Sequence, residues 1–319
     1  MALALAGCSG SNLGSESSAG ESESFPSKTI EIIVPYAAGG GTDTVTRALA
    51  NAVQKYLPNE QSVIVTNKPG ASSTVGISEV ANAEPDGYIL SAVTSTGLAI
   101  QPHLDGTPYD LEDFQPILQA VASPQVLVVQ VDAPWENLEE WLGYTEKNPG
   151  QFKYGSANVL GTASVAMAAL SSAAGIETEN IPFEGAAPSI TALAGGHVQG
   201  AAVQSFEARA QMEAGAVRPL INIGSKPIEG YKDLPLAKDT WPDVEFDVFT
   251  GLVAPAGIPE EILEILNEAF SKALEDPEVI QQFANIGVEP AYAGPEDFRS
   301  IIERDYEKIG KVLLELNAE

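Results

Sequence analysis

The stretch Ile30–Arg47 constrains the fold of this chain more than any other part of the sequence. It reads IEIIVPYAAGGGTDTVTR, and its apolar, largely β-branched start predicts a buried strand that ends at Pro35. The glycines at 39–41 allow a tight turn, after which polar residues can begin a helix. The backbone N–H groups of such a turn favour an anion, either carboxylate or phosphate. The same pattern also occurs in strand-to-helix turns that bind nothing, so other parts of the chain must decide.

Short apolar runs alternate with helical patterns after this stretch. Ser62–Thr66 and Tyr88–Val93 predict the next two strands. Strands that alternate with helices predict an α/β fold with mostly parallel sheets, in which ligands bind beyond the carboxyl ends of the strands. The small polar segment of Thr94, Ser95 and Thr96, predicted as a loop, would lie at the same edge as the glycine turn.

The second half of the chain repeats this opening pattern. A strand over Lys153–Ser156 leads through a turn of small residues into a helix over Ala163–Ala174. The chain is predicted to be helical from Pro259 and to close with a helix over Pro295–Leu316. The remaining predicted elements are helices over Gly76–Ala83 and Leu138–Lys147 and strands over Val126–Val131, Asn180–Phe183, His197–Val203, Gly215–Ile223 and Val248–Ala254.

Length and charge limit the possible functions. A chain of 319 residues is long enough for two domains. Its 44 acidic and 16 basic residues give a formal net charge of −28, which excludes nucleic acid and anionic lipid as expected partners. An anionic ligand would therefore depend on local backbone dipoles or on one of the few basic side chains.

The sequence offers little material for catalysis. His103 and His197 are far apart, and neither is adjacent to a nucleophile or an acid that would suggest a catalytic group. No metal-binding spacing such as CxxC or HExxH is present. We therefore expect no cofactor, no metal and no enzymatic activity.

The N-terminal region resembles the start of a bacterial lipoprotein. Cys8 is the only cysteine, it follows the sequence LAG, and it is expected to carry a lipid. Residues 1–8 would be part of a signal peptide with its lipobox, and residues 9–24, rich in Ser, Gly and Glu, a flexible tether. We expect a lipid-anchored protein on the outer face of the cytoplasmic membrane. A disordered N-terminus with a chance cysteine is the alternative.

Six ordered motifs resemble one family. The opening SKTIEIIVPYAAGGGTDTVTR is followed by NKPGA at 67–71, PDGY at 85–88, YDLEDFQPI at 109–117, ALAGGHV at 192–198 and APAGIP at 254–259. Over residues 25–319 the chain is similar to the extracytoplasmic solute-binding proteins of tripartite tricarboxylate transporters, the TctC or Bug family. The resemblance implies a two-lobed, periplasmic-binding-protein-like fold of type II, in which crossover strands join two doubly wound sheets with a ligand cleft between them. Lobe one would comprise 25–123 and 248–319, and lobe two 124–247.

The resemblance also implies a function and a site. Such a protein captures a small carboxylate and delivers it to the membrane permease subunits of the transporter, and we expect it to be a monomer. The carboxylate would be held by backbone amides, hydroxyls and ordered water in two small-residue loops, one from each lobe. The expected ligand-binding residues are Ala38, Gly39, Gly40, Gly41, Thr42, Asp43, Thr94, Ser95, Thr96, Ser156, Gly161, Thr162, Ala163 and Gln204.

Three departures from the family pattern bear on the ligand. The family often has a histidine where Ser164 and Val165 stand, a lysine where Glu184 stands, and an aspartate where Gln199 stands. Losing two basic groups and gaining an acid disfavours a multiply charged anion. We expect a monocarboxylate, a dicarboxylate or an amino acid ahead of citrate. The alternatives are the same fold with a neutral ligand, serving another importer or a sensor, and then an enzyme on an α/β scaffold.

Overall fold

The structure is a computed structural model that describes residues 25–318. The strands are β1 Ile30–Val34, β2 Val63–Asn67, β3 Ile89–Thr94, β4 Phe114–Gln130, β5 Phe152–Ser156, β6 Thr178–Pro182, β7 Gly200–Gln204, β8 Val217–Asn222, β9 Asp247–Pro255 and β10 Pro290–Ala293. The α-helices are α1 Gly41–Val53, α2 Thr74–Ala81, α3 Leu138–Lys147, α4 Thr162–Ala174, α5 Ala186–Ala194, α6 Ser205–Glu213, α7 Ala237–Thr240, α8 Glu260–Leu274, α9 Pro277–Ile286 and α10 Pro295–Ala318.

The strands form two sheets that share β4. The first sheet has the order β2-β1-β3-β9-β4-β10, with β1 parallel to β2 and β3, and β9 antiparallel to β3 and β4. The second has the order β8-β4-β7-β5-β6, with β5 parallel to β6 and β7. We call the first sheet with its helices lobe one and the second sheet with its helices lobe two. The two-lobed α/β architecture expected from the sequence is confirmed.

The chain passes between the lobes along β4 and returns along β9. Pro124 pairs with Asp247 in the first sheet, and the next residue, Gln125, pairs with Gln204 in the second. The apolar run Val126–Val131 predicted only the last five residues of this 17-residue strand. Polar residues and Pro116 interrupt the alternation in its first half, and Pro116 lies at a register shift between β4 and β9, where the ladder is irregular.

Both sheets are covered by helices on their two faces. Helices α1, α8 and α9 pack on one face of the first sheet, while α2 and the start of α10 pack on the other. Helices α5 and α6 cover one face of the second sheet, and α3, α4 and the end of α10 cover the other. Among residues 25–318, no helix has the length and apolarity that a membrane span requires.

One local prediction was wrong, and the C-terminal helices are as expected. The segment after β3, predicted as a loop, forms a π-helical turn over Thr96–Ile100, because its apolar residues are buried against both lobes. The C-terminal region forms three helices, and α10 belongs to both lobes. Phe298 and Ile302 pack on the first sheet, whereas Ile309 and Leu313 pack into the core of lobe two.

Candidate functional site

The small-residue loops of the two lobes meet at the carboxyl ends of their strands. Thr96 Oγ1, after β3, lies 3.2 Å from Thr162 Oγ1, at the start of α4. The ring of Phe206, in α6, lies so close to Gly41 that a Cβ at this glycine would be 2.6 Å from the ring. The lobes are therefore in contact at these two places, and three of the predicted site residues, Gly41, Thr96 and Thr162, lie there.

The glycine loop after β1 is held by its own aspartate. Asp43 Oδ2 accepts a hydrogen bond of 2.8 Å from Gly39 N–H, and Oδ1 accepts one of 2.8 Å from Asn67 Nδ2. Arg47 forms an ion pair with the same carboxylate at 3.0 Å. Burial acts to raise the pKa of Asp43, but these partners outweigh it and hold the pKa below its usual range. The Asp43 carboxylate thus holds the loop in place and is itself fully engaged.

The first turn of α1 supplies donors for an anion. No side chain caps this helix, and the first N–H bonded within it is that of Thr44, which donates to Gly40 O at 2.9 Å. The amides of Gly41, Thr42 and Asp43 are the donors that a helix start leaves unbonded. Ala38 and Gly40 are exposed beside them. This end of α1 can bind a carboxylate without any basic side chain.

The segment after β3 contributes hydroxyl groups with different roles. Thr94 Oγ1 lies 2.6 Å from the hydroxyl of Tyr36, a residue that follows β1. Burial raises the pKa of Tyr36, against the opposing effect of this hydrogen bond. Ser95 Oγ accepts a bond of 3.2 Å from Phe249 N–H, so it anchors β9. Thr96, as described above, touches the other lobe.

The loop after β5 is closed by a serine. Ser156 Oγ is buried and lies 2.8 Å from both Asn158 O and Asn180 Oδ1. A hydroxyl has one proton to donate, so these two acceptors compete for it. Ser156 therefore orders the loop whose far end leads into α4.

The start of α4 faces the cleft from lobe two. Gly161 N–H donates to Ser164 Oγ at 2.9 Å, so this amide is satisfied locally. Thr162 and Ala163 are the first residues of the helix, and both are buried. The Thr162 hydroxyl and the first amides of α4 thus lie opposite the segment after β3.

Gln204 ends β7 between two further polar side chains. Its N–H donates to Glu207 Oε2 at 2.9 Å, and across the ladder it pairs with Gln125. Gln125 is 3% exposed, and its Oε1 accepts no hydrogen bond from residues 25–318. Burial raises the pKa of Glu207 to about 7, and the bond from Gln204 opposes this.

The sequence did not point to four residues of this cleft, namely Tyr36, Ser73, Gln125 and Glu207. Ser73 is buried at the end of the loop after β2, with a left-handed backbone (φ 83°), and its Oγ has no partner among residues 25–318. Ala71 and Ser72 are also left-handed (φ 44° and 51°), and such strain is typical of functional loops. The sequence could have indicated Ser73 as a site residue, because its loop follows β2, a parallel strand of the first sheet, and ligands bind at that edge.

A groove of about 550 Å³ lies between the start of α1, helix α6 and the end of α9. Gly41 and Thr44 of α1 line it together with Arg209 of α6. Arg209 Nη1 donates to Ala284 O, at the end of α9, at 3.1 Å, and this contact also joins the lobes. The guanidinium is paired with Glu213 at 2.7 Å.

Other groups considered from the sequence lie away from the cleft or outside the structure. The ring of His103 stacks on Tyr306 with centroids 3.8 Å apart, and His197 is exposed. Within residues 25–318, no cluster of His, Cys, Asp and Glu could hold a metal ion. Cys8 and the segments 1–8 and 9–24 lie outside the described residues.

Comparison with known proteins decides the family. The model of the tripartite tricarboxylate transporter family receptor, TctC, matches residues 45–318. The chain belongs to this family. A UPF0065 protein of Bordetella pertussis is 30% identical over 301 residues, which cover 94% of this chain and 93% of that protein. TctC receptors bind solutes, and they are not an enzyme class.

Solved structures of solute-binding proteins share the fold. A TctC solute-binding protein from Polaromonas, solved without ligand, superposes with a TM-score of 0.79 at 34% identity, covering 91% of this chain and 99% of that one. MatC of Rhodopseudomonas palustris, solved with bound malate, has a TM-score of 0.78 at 26% identity and covers 90% of this chain and 99% of its own. The protein described by this sequence is thus a solute receptor of the TctC family, whose members are extracytoplasmic.

Proposed function

We propose that this TctC protein captures a small monocarboxylate, dicarboxylate or amino acid in the cleft between its lobes. It then delivers this ligand to the membrane permease subunits of a tripartite transporter. Anchoring through a lipid on Cys8, on the outer face of the cytoplasmic membrane, belongs to the same proposal, as does a monomeric state.

The pairing of two helix starts across the cleft carries this proposal. The uncapped first turn of α1 comes from lobe one, and the first turn of α4 comes from lobe two. The contact between Thr96 and Thr162 joins the start of α4 to the segment after β3, which lies at the same sheet edge of lobe one as the α1 start. Helix N-termini bind carboxylates through backbone amides and the helix dipole, so the site does not depend on arginine or lysine. That property suits a protein with so few basic residues.

The bound malate in MatC supports a small acid as the ligand class. The departures on lobe two argue against a ligand with three negative charges. Glu184 is exposed after β6, where it adds negative charge to this side. Gln199 is engaged in the fold, since its Oε1 accepts from Lys153 N–H at 3.0 Å. We therefore expect one or two carboxylates, and weaker binding of citrate.

A thermal-shift screen of the purified chain against small carboxylates, amino acids, citrate and neutral sugars tests this function. A ligand at 100 times its Kd adds about 2.7 kcal/mol of stability, which a melting curve detects. Gly40→Leu should abolish the carboxylate shift, because a large side chain would then stand beside the α1 amides. Gly143→Leu is the matched control, since Gly143 lies in α3 with open space around its Cα. Stabilisation by neutral sugars alone, or by citrate above all, would contradict the proposal.

A further inference from the structure

The backbone of Gln204 shows where the Glu207 carboxylate lies. Gln125 N–H donates to Phe246 O, and Gln125 O accepts from Ile223 N–H, so both backbone groups of Gln125 point away from β7. The pair of Gln125 with Gln204 is therefore of the non-hydrogen-bonded antiparallel type. It follows that Gln204 N–H points away from β4, towards β5. Glu207 Oε2 accepts this N–H at 2.9 Å, so the carboxylate lies on that side as well.

Strand β5 has already ended at this level of the sheet. Its Gly155 pairs with Ala201, and the strand stops at Ser156, one residue later. Gln204 is three residues beyond Ala201, so no strand of lobe two continues beside it. The Glu207 carboxylate thus lies just past the end of β5, next to the loop that the sequence predicts to bind the ligand.

The first turn of α6 also reaches the opposite lobe. Phe206, adjacent to Glu207, packs on Gly41 at the start of α1. The Glu207 side chain is only partly exposed, and the protein around it desolvates the carboxylate strongly enough to raise its pKa to about 7. The Glu207 carboxylate therefore lies in the turn of α6 that contacts the start of α1 in the other lobe.

A second acceptor belongs to Gln125, the residue that pairs with Gln204 across the ladder. Gln125 Oε1 is buried and receives no hydrogen bond from residues 25–318. A buried oxygen of this kind normally has a donor, because leaving it without one costs about 1–3 kcal/mol. Lobe one presents donors at the α1 start, whereas this part of lobe two presents acceptors. The α1 start and this part of lobe two therefore present groups of opposite polarity.

We propose that Glu207 is a specificity-determining residue that selects ligands carrying an ammonium group in addition to a carboxylate. The ligand carboxylate binds the amides of α1, and its ammonium group pairs with Glu207, with the Gln125 oxygen as a further acceptor. An amino acid would in this way connect the two lobes. The inference rests on the proposed function and narrows its ligand class. An ammonium group also lowers the negative charge of the ligand by one, so a chain of net charge −28 repels the amino compound less than the matching acid.

Titration calorimetry of the full chain at pH 8, where Glu207 is ionised, tests this inference. The probes are two pairs of compounds that differ by one amino group, aspartate with succinate and glutamate with glutarate. At least one amino member should bind about tenfold or more tightly than its partner, as expected for a charged hydrogen bond. Glu207→Gln should remove this difference, because the amide keeps the bond to Gln204 N–H and loses the charge.

Glu140→Gln is the matched control. Glu140 Oε2 also accepts a backbone N–H, from Glu136 at 2.8 Å, at the start of the exposed helix α3. The Glu140→Gln variant should leave the preference for the amino member of each pair unchanged. Equal binding within both pairs, or a preference that survives Glu207→Gln, would overturn the inference and leave carboxylate capture intact. If no carboxylate binds while neutral sugars do, the proposed function fails and the inference fails with it.

Discussion

Gly41 has two roles in the site, and only one of them concerns the ligand. Its amide is one of the free donors at the start of α1, and its missing Cβ makes room for Phe206 of the other lobe. The three glycines of the sequence motif therefore differ in function. Gly39 has a left-handed backbone (φ 82°) and shapes the turn, whereas Gly41 allows the lobes to close.

Gly41→Ala should weaken ligand binding about tenfold. A methyl group 2.6 Å from the Phe206 ring would force the ring or the lobes apart, and overpacking of this kind costs about 1–3 kcal/mol. Calorimetry with the tightest carboxylate of the panel measures the change in Kd. Gly143→Ala, at an open position in α3, should bind as the wild type does. An unchanged Kd for Gly41→Ala would mean that this contact has no part in closure.

Glu207 should give the ligand-free protein a characteristic pH dependence. Its pKa is about 7 in the folded state against 4.5 for the free side chain, so the folded state holds the proton more tightly. Stability from this group is present below about pH 4.5 and is lost as the pH rises through 7. Urea unfolding at pH 5 and pH 8 should show that Glu207→Gln gains stability relative to wild type at the higher pH. If the free energies of unfolding of the two proteins differ by the same amount at pH 5 and pH 8, the raised pKa of Glu207 is contradicted.

At the scale of elements, the sequence predicted most accurately those strands and turns that a local run of apolar residues and glycines marks. The strand β1 and the turn after it were readable because β-branched residues precede three glycines. The first half of β4 was not, because its polar residues and Pro116 break the alternation that marks a strand. Its burial comes from β9 and β10, which are more than a hundred residues away in the chain, and no local pattern records that pairing.

Helix α10 should stabilise lobe two as well as lobe one. Ile309 is 2% exposed and packs into the core of lobe two, so Ile309→Ala should lower the free energy of unfolding by about 2–5 kcal/mol. Leu314 lies on the same helix with 72% of its surface exposed, and Leu314→Ala should change stability by less than about 0.5 kcal/mol. Urea unfolding followed by circular dichroism compares the two. Similar small effects in both variants would show that this packing is not important for stability.

The site as a whole could be predicted only in part. The resemblance pointed to the α1 start and to the loop before α4, because both carry small residues after a strand. Glu207 and Gln125 carry no such signal, since an acid in a helix and a glutamine in a strand are usually solvated or structural. Their importance depends on where β5 ends and on which way a backbone N–H points. These are properties of the assembled lobes.

The net charge of −28 should make the stability of the whole molecule dependent on salt. Acidic groups repel one another in the compact state, and this repulsion is screened as the Debye length falls from about 30 Å at 0.01 M to about 10 Å at 0.1 M salt. Most ion pairs among residues 25–318 are substantially exposed, so salt weakens them at little cost. The melting temperature should therefore rise between 0.01 M and 0.5 M sodium chloride. A fall over this range would show that specific ion pairs outweigh the general repulsion.

A crystal structure grown with the tightest-binding carboxylate of the panel tests the central claim most directly. We expect one carboxylate group at the start of α1, within hydrogen-bonding distance of the amides of Gly41 and Thr42, directly or through one water molecule. The rest of the ligand should extend towards Thr162 and Glu207 of the other lobe. A ligand held by Arg209 in the groove between α6 and the end of α9, with the α1 amides unoccupied, would contradict this binding mode.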